Sequence, residues 1–235
     1  MAKKVLVAGF EAFGGDKVNP SELIAHSLEG RMLSGQVPAT RVIPVETRNI
    51  RERFEQALLE DDPGAVILVN QMGGRTAMAL ERVAVNVLDF EFPDNVGVMR
   101  KQDVIAKGGS EARVSNVPFD KIVEAWRASG VPGYVSNAAG TFIGNQALYE
   151  VLGLTENAAL PVVVGLVHVP FLPSQAIIAG PDSTPSMSLE LMTRGLEVMI
   201  ETIVPWLEQR TPDASKARDK GKSLWIPRGV KEIER

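Results

Sequence analysis

Residues 161–169 read PVVVGLVHV, an almost unbroken apolar run that ends on a histidine and a valine. Such a run is the mark of a strand covered on both faces, the kind found in sheets flanked by helices. Working outward, strands are expected at 4–8 (KVLVA), 40–45 (TRVIPV), 65–69 (AVILV), 83–92 (VAVNVLDFEF) and 134–136. Helical spacing or helix-start chemistry marks 20–28, 50–60, 119–128, 145–152 and 187–207 between and after them. The first of these opens on Asn19-Pro20, a capping residue followed by proline at the first helical position. Strands alternating with helices predict an α/β fold: a mostly parallel twisted sheet between two helical layers, a three-layer α/β/α sandwich. In such sheets ligands gather beyond the carboxyl ends of the strands. That rule draws attention to residues 9–15, 71–75, 137–145 and 168–173. The segment 93–115 is polar and poorly periodic, and reads as a long loop.

Composition narrows the function. The chain has 235 residues, 45% hydrophobic and 23% charged, which suits one soluble domain. Its 25 basic and 29 acidic residues leave a net charge of −4, so no nucleic-acid footprint is expected. No apolar run approaches the ~18 residues of a membrane span, and the start MAKKVLVAGF lacks the features of a signal peptide. A cytoplasmic protein with no membrane partner is the expectation. The single domain is expected over 1–211. The remainder, 212–235, is a basic extension, with seven basic and three acidic residues from Lys216 onward.

There are no cysteines and only two histidines, His26 and His168. Disulfides, cysteine-held zinc and a thiolate nucleophile are therefore excluded. His168 closes the strongest strand, where it reads either as a satisfied core histidine or as a general base. Glu81, expected at the head of the strand ERVAVN, is either solvated or an orienting partner for that histidine. The stretch 136–152, SNAAGTFIGNQALYEVL, is a strand, a small-residue turn and a helix, a geometry that often presents a nucleophile at a helix N-terminus. The residue at that point is Gly144, which has no side chain. The loop FEAFGGDKV fits neither a dinucleotide fingerprint nor a phosphate loop. Its Phe10 and Phe13 either face a small ligand or belong to the core.

Seven segments taken together resemble the pyroglutamyl peptidase type I (pyrrolidone-carboxylate peptidase) family. They are GFEAFGG with NPSE (9–22), GGR (73–75), ERVAVN (81–86), FPDN (92–95), SNAAGTFIGN (136–145), HVPFLP (168–173) and PSM (185–187). They stand in the family's order and cover about residues 3–209. The resemblance implies a phosphorylase/hydrolase-like sandwich and a cytoplasmic, cofactor-free peptidase, often tetrameric, that removes N-terminal pyroglutamate through a Cys–His–Glu triad. By motif, the histidine is His168 and the glutamate Glu81. Phe10, Phe13, Gln71 and Phe142 would line the slot for the lactam ring.

The chain departs from that pattern twice. Gly144 stands where the family has its nucleophilic cysteine, and Glu91 stands where the family has an arginine. Two changes, one of them reversing a charge, read as the divergence of an old site, with deliberate inactivation, for which a single change at the nucleophile would suffice, as the alternative. The expected function is therefore a pyroglutamyl-peptidase fold that is inactive or very weakly active. The alternatives are a non-catalytic binder of pyroglutamate or a related blocked N-terminus, and a hydrolase in which His168 and Glu81 activate water. No metal is expected, since this pair offers two ligands where a catalytic zinc takes three.

Overall fold

The protein is described by a computed structural model covering residues 4–210 except 159, 181 and 183. The basic extension expected at 212–235 lies outside the described residues. In chain order the elements are β1 (Val5–Phe10), α1 (Pro20–Ser27), β2 (Ala39–Ile43), α2 (Ile50–Asp61), β3 (Ala65–Gln71), β4 (Met78–Glu81), β5 (Val83–Val85), β6 (Ala112–Val114), α3 (Phe119–Ala128), β7 (Gly133–Ser136), α4 (Ile143–Asn157), β8 (Val163–Val169), α5 (Pro173–Ala179) and α6 (Leu189–Arg210). Six strands form one sheet in the order β2-β1-β3-β8-β4-β7, and β5 pairs with β6 in a separate antiparallel ribbon. β2, β1, β3 and β8 run parallel. β4 runs antiparallel to β8 and carries β7 parallel to itself, so the sheet is mixed at one edge.

Strand alternation sorts the core into two layers. On one face, Val5, Val7, Ile67, Val69 and Val167 pack under α1, α3 and α6 through Ile24, Ile122, Trp126, Leu196 and Ile203. On the other, Leu6, Ala8, Phe10, Val66, Leu68 and Leu166 pack under α2 and α4 through Ile50, Phe54, Ala147 and Leu148. The expected α/β sandwich is present, with helices on both faces of a mostly parallel sheet.

Four expectations change in detail. The segment 83–92 is not one strand: only Val83–Val85 forms a ladder. Its alternation is nonetheless real, because Ala84, Asn86, Leu88 and Phe90 are all buried. Its partner segment meanders, so pairing beyond Val85 is reduced to single bonds, Asn86 N–H to Glu111 and Phe90 N–H to Arg100, and one isolated bridge in which Leu88 and Asp103 exchange both bonds. Glu81 does not head a strand but ends β4, a four-residue strand whose brevity hides it beside the longer apolar run. Finally, α5 follows the PFLP turn where no helix was read, and α4 extends well past residue 152.

Candidate active site

The parallel register sets Asn70 of β3 directly beside His168 of β8. Both belong to the even-numbered set of their strands, with Leu68 and Leu166, so both side chains face the α2–α4 layer. Glu81 lies opposite Leu166 across the antiparallel β4–β8 pair. It therefore shares that face and stands diagonal to His168, within reach of a long side chain. The sheet thus brings together two residues 87 apart in sequence: His168 Nδ1 lies 2.8 Å from Glu81 Oε1. His168 is 1% exposed and Glu81 is completely buried. A carboxylate can only accept, so with Glu81 ionised Nδ1 carries the proton, and in the neutral form of the ring Nε2 is then the nitrogen with the lone pair. Arg75 Nη2 approaches the same Glu81 oxygen at 3.5 Å and a further Arg75 nitrogen donates to the Tyr134 hydroxyl, so the carboxylate has a cation behind it.

Nε2 of His168 has no hydrogen-bond partner among the described residues. It points at Gly144, the second residue of α4. A Cβ built on Gly144 would stand 3.0 Å from Nε2 and 2.6 Å from Asn70 Nδ2. The histidine is thus aimed where a nucleophile's side chain would begin, and the Asn70 amide leans into that same space. α4 is held there from both flanks. Asn145 accepts from Val85 N–H at 2.8 Å and donates to Val85 and Val87 carbonyls, while Gln146 donates to the Thr47 carbonyl at 2.8 Å. The first N–H groups of α4 have no partner inside the helix, so this end suits a developing negative charge.

Above Gly144 opens a cavity of about 530 Å³. One wall is aromatic. Phe142 touches Phe92 and Phe13 with ring centroids 5.0 and 5.6 Å apart, and the buried Phe90 backs Phe142 at 4.6 Å. Asn70, Gln71, Met72, Gly73 and Phe171 also line the cavity. A Cβ at Gly73 would lie 2.2 Å from the Phe171 ring, so glycine is what lets Phe171 seat there. Gln71 donates to Asp16 at 3.0 Å and accepts from Gln175 at 2.9 Å.

Of the residues read from the sequence, Phe13, Gln71, Phe142, Gly144, His168 and Glu91 line this cavity, and Glu81 supports it from behind His168. Phe10 does not. It belongs to β1 rather than to the loop, and its even register buries it in the α2–α4 core. Phe171 falls within the expected site segment 168–173, whereas Asn70, Phe92, Asp16 and Asp89 lie outside the site segments read from the sequence. The polar break in AVILVNQ was the available signal for Asn70, since an asparagine continuing the buried face of a strand needs a reason. Among the described residues no cluster of His, Asp or Glu could hold a metal, and no helix is long and apolar enough to cross a membrane.

Comparison with known proteins adds a lineage. A family model described as pyroglutamyl peptidase matches residues 3–205. The chain is 36% identical over 206 residues to a pyrrolidone-carboxylate peptidase of Coprothermobacter proteolyticus, covering 88% of this chain and 99% of that one. It is 38% identical over 199 residues to that of Thermococcus onnurineus, covering 85% and 98%. A solved pyrrolidone carboxyl peptidase from Pyrococcus furiosus superposes with a TM-score of 0.83 at 37% identity, over 87% of this chain and 99% of that one.

Proposed function

The chain belongs to the pyroglutamyl peptidase family, and from that premise we propose that it receives peptides bearing an N-terminal pyroglutamate without cleaving them through a covalent intermediate. One observation supports the reading above all. The Cβ direction of Gly144 faces Nε2 of His168 from 3.0 Å, and glycine puts no ionisable atom there. In a cysteine peptidase the histidine takes the thiol proton and the thiolate attacks the scissile carbonyl. The helix N-terminus then steadies the oxyanion, and a water activated by the same histidine releases the acyl group. In this chain Glu81, His168, the end of α4 and the aromatic slot remain for binding and polarisation, and the attacking sulfur is gone. What survives loss of a triad member is typically ~10³–10⁴-fold over water, far below a working peptidase. Phe13, Phe142 and Phe92 would hold the flat lactam ring by face and edge, with Gln71 at its polar rim. A cytoplasmic setting and a tetrameric assembly belong to the same reading and rest on the family resemblance.

A chromogenic pyroglutamyl substrate tests it. The expected result is no turnover above a His168→Ala control. Gly144→Cys should raise the rate at least about 10²-fold, because it restores the group the rest of the site is arranged around. Rapid cleavage by the unaltered chain would overturn the proposal. The unpartnered Nε2 also favours a second reading, a water held over Gly144 and activated by His168 and Glu81. Slow hydrolysis of small amides or esters that vanishes in His168→Ala would support that one instead.

A further inference from the structure

The cavity carries a sign. Its lining includes three carboxylates, Asp16, Asp89 and Glu91, and no lysine or arginine. The three are not equally compensated. Asp89 pairs with Lys101 at 3.4 Å. Asp16 is held by the Gln71 and Gln175 amides, neutral donors that fix the carboxylate in place without cancelling its charge. Glu91 makes no hydrogen bond or ion pair among the described residues. The same cavity contains a buried group that itself asks for a ligand, the partnerless Nε2 of His168.

Position turns this charge into selectivity. Glu91 precedes Phe92, whose ring is part of the aromatic wall. The strip bearing both is tied to the loop before Gly144, since the Thr141 hydroxyl donates to the Asp89 carbonyl at 2.8 Å and Asp89 N–H donates to the Thr141 carbonyl. A lactam ring against the aromatic wall, with its linking carbonyl near His168, sends the remainder of the peptide out past an exposed rim. At that rim an unpaired carboxylate attracts a cation and repels an anion.

We propose that this site selects, among peptides with an N-terminal pyroglutamate, those whose next residue is cationic, and that Glu91 is the specificity-determining residue. The inference rests on the lactam-binding reading above and adds the class of ligand to it.

Calorimetric titration with pyroglutamyl-lysine amide, pyroglutamyl-alanine amide and pyroglutamyl-glutamate amide tests it. All three carry a blocked C-terminus, so only the side chain differs. At low salt the lysine peptide should bind about fivefold tighter than the alanine peptide, the scale of an exposed ion pair, and the glutamate peptide more weakly than either. In 1 M salt, where the screening length falls to about 3 Å, the three should converge. Glu91→Gln should remove most of the difference and Glu91→Arg should reverse its order. Glu91 is exposed and unpaired, so neither change threatens the fold. Binding of all three with equal affinity would overturn the cation preference alone. A lysine preference that survives Glu91→Gln would overturn the role of Glu91. Silence from every peptide would overturn the lactam reading and this inference with it.

Discussion

Asn70 and Gly144 are best understood as one residue-scale unit. A side chain cannot be restored at 144 without meeting the Asn70 amide at 2.6 Å, but that amide is the far end of a side chain that makes no hydrogen bond among the described residues. A Cβ there displaces a rotamer, not backbone. Gly144→Cys should therefore fold, and adding Asn70→Ala should raise its activity further if the amide obstructs the sulfur. Away from the site, Glu150 on α4 shows a different balance. Burial raises its pKa more than its hydrogen bond from Arg51, at 2.8 Å, lowers it. A carboxyl raised in the folded state contributes stability that is present below the unfolded pKa of about 4.3 and lost as pH rises through the folded value. Glu150→Gln keeps an acceptor for Arg51 and removes the buried charge. Calorimetric melts at pH 7 should rise by about 1–2 °C, and the gain should vanish near pH 4. A variant less stable than the parent at pH 7 would show that the Arg51 pair outweighs the burial cost.

At the scale of elements, the edge of the sheet is tightly fitted. β7 packs against α3, and a Cβ at Gly133 would stand 2.2 Å from the indole of Trp126. That ring is fully buried and anchored by its N–H to the Gly195 carbonyl at 2.7 Å, so it cannot swing aside cheaply. Gly133→Ala should cost about 1–3 kcal/mol by overpacking, read as a lower urea midpoint at unchanged slope. The same edge shows where sequence reading stops. α3 is legible in full, 119–128, because its apolar positions recur at helical spacing and Gly130 follows its end. The parallel strands β1, β3 and β8 are legible because each is an apolar run between breaks. β4 is not, because four residues carry too little pattern and its direction is decided by pairing with β8. The antiparallel turn of β4 is what carries Glu81 to His168. The catalytic-type pair could thus be named by motif, while its contact could not be read from spacing. Phe10 failed for a related reason. Whether an aromatic residue at a strand end faces a ligand or the core depends on register, and one residue either way reverses the face.

Across the whole molecule, one sheet separates two cores with different duties. His168, Asn70, Glu81 and Gly144 all belong to the α2–α4 side, whereas α1, α3 and α6 pack on the other. Small changes in the helices there should leave the site in place. Ile200 of α6 is completely buried in the far layer, and Ile50 of α2 is completely buried in the near one. Ile→Val at either position deletes one methyl group and should cost about 0.5–1.5 kcal/mol. Because a strand layer lies between them and they share no partner, the double variant should lose the sum of the two to within about 0.5 kcal/mol. Urea denaturation followed by circular dichroism measures all three. A coupling above about 1 kcal/mol would mean that strain crosses the sheet and that the two cores are not independent. Affinity for a pyroglutamyl peptide divides the layers further. Ile200→Val should leave it unchanged. Ile50→Val loosens the helix from which Arg51 reaches Glu150 of α4, so any loss of affinity should follow the near-layer variant only.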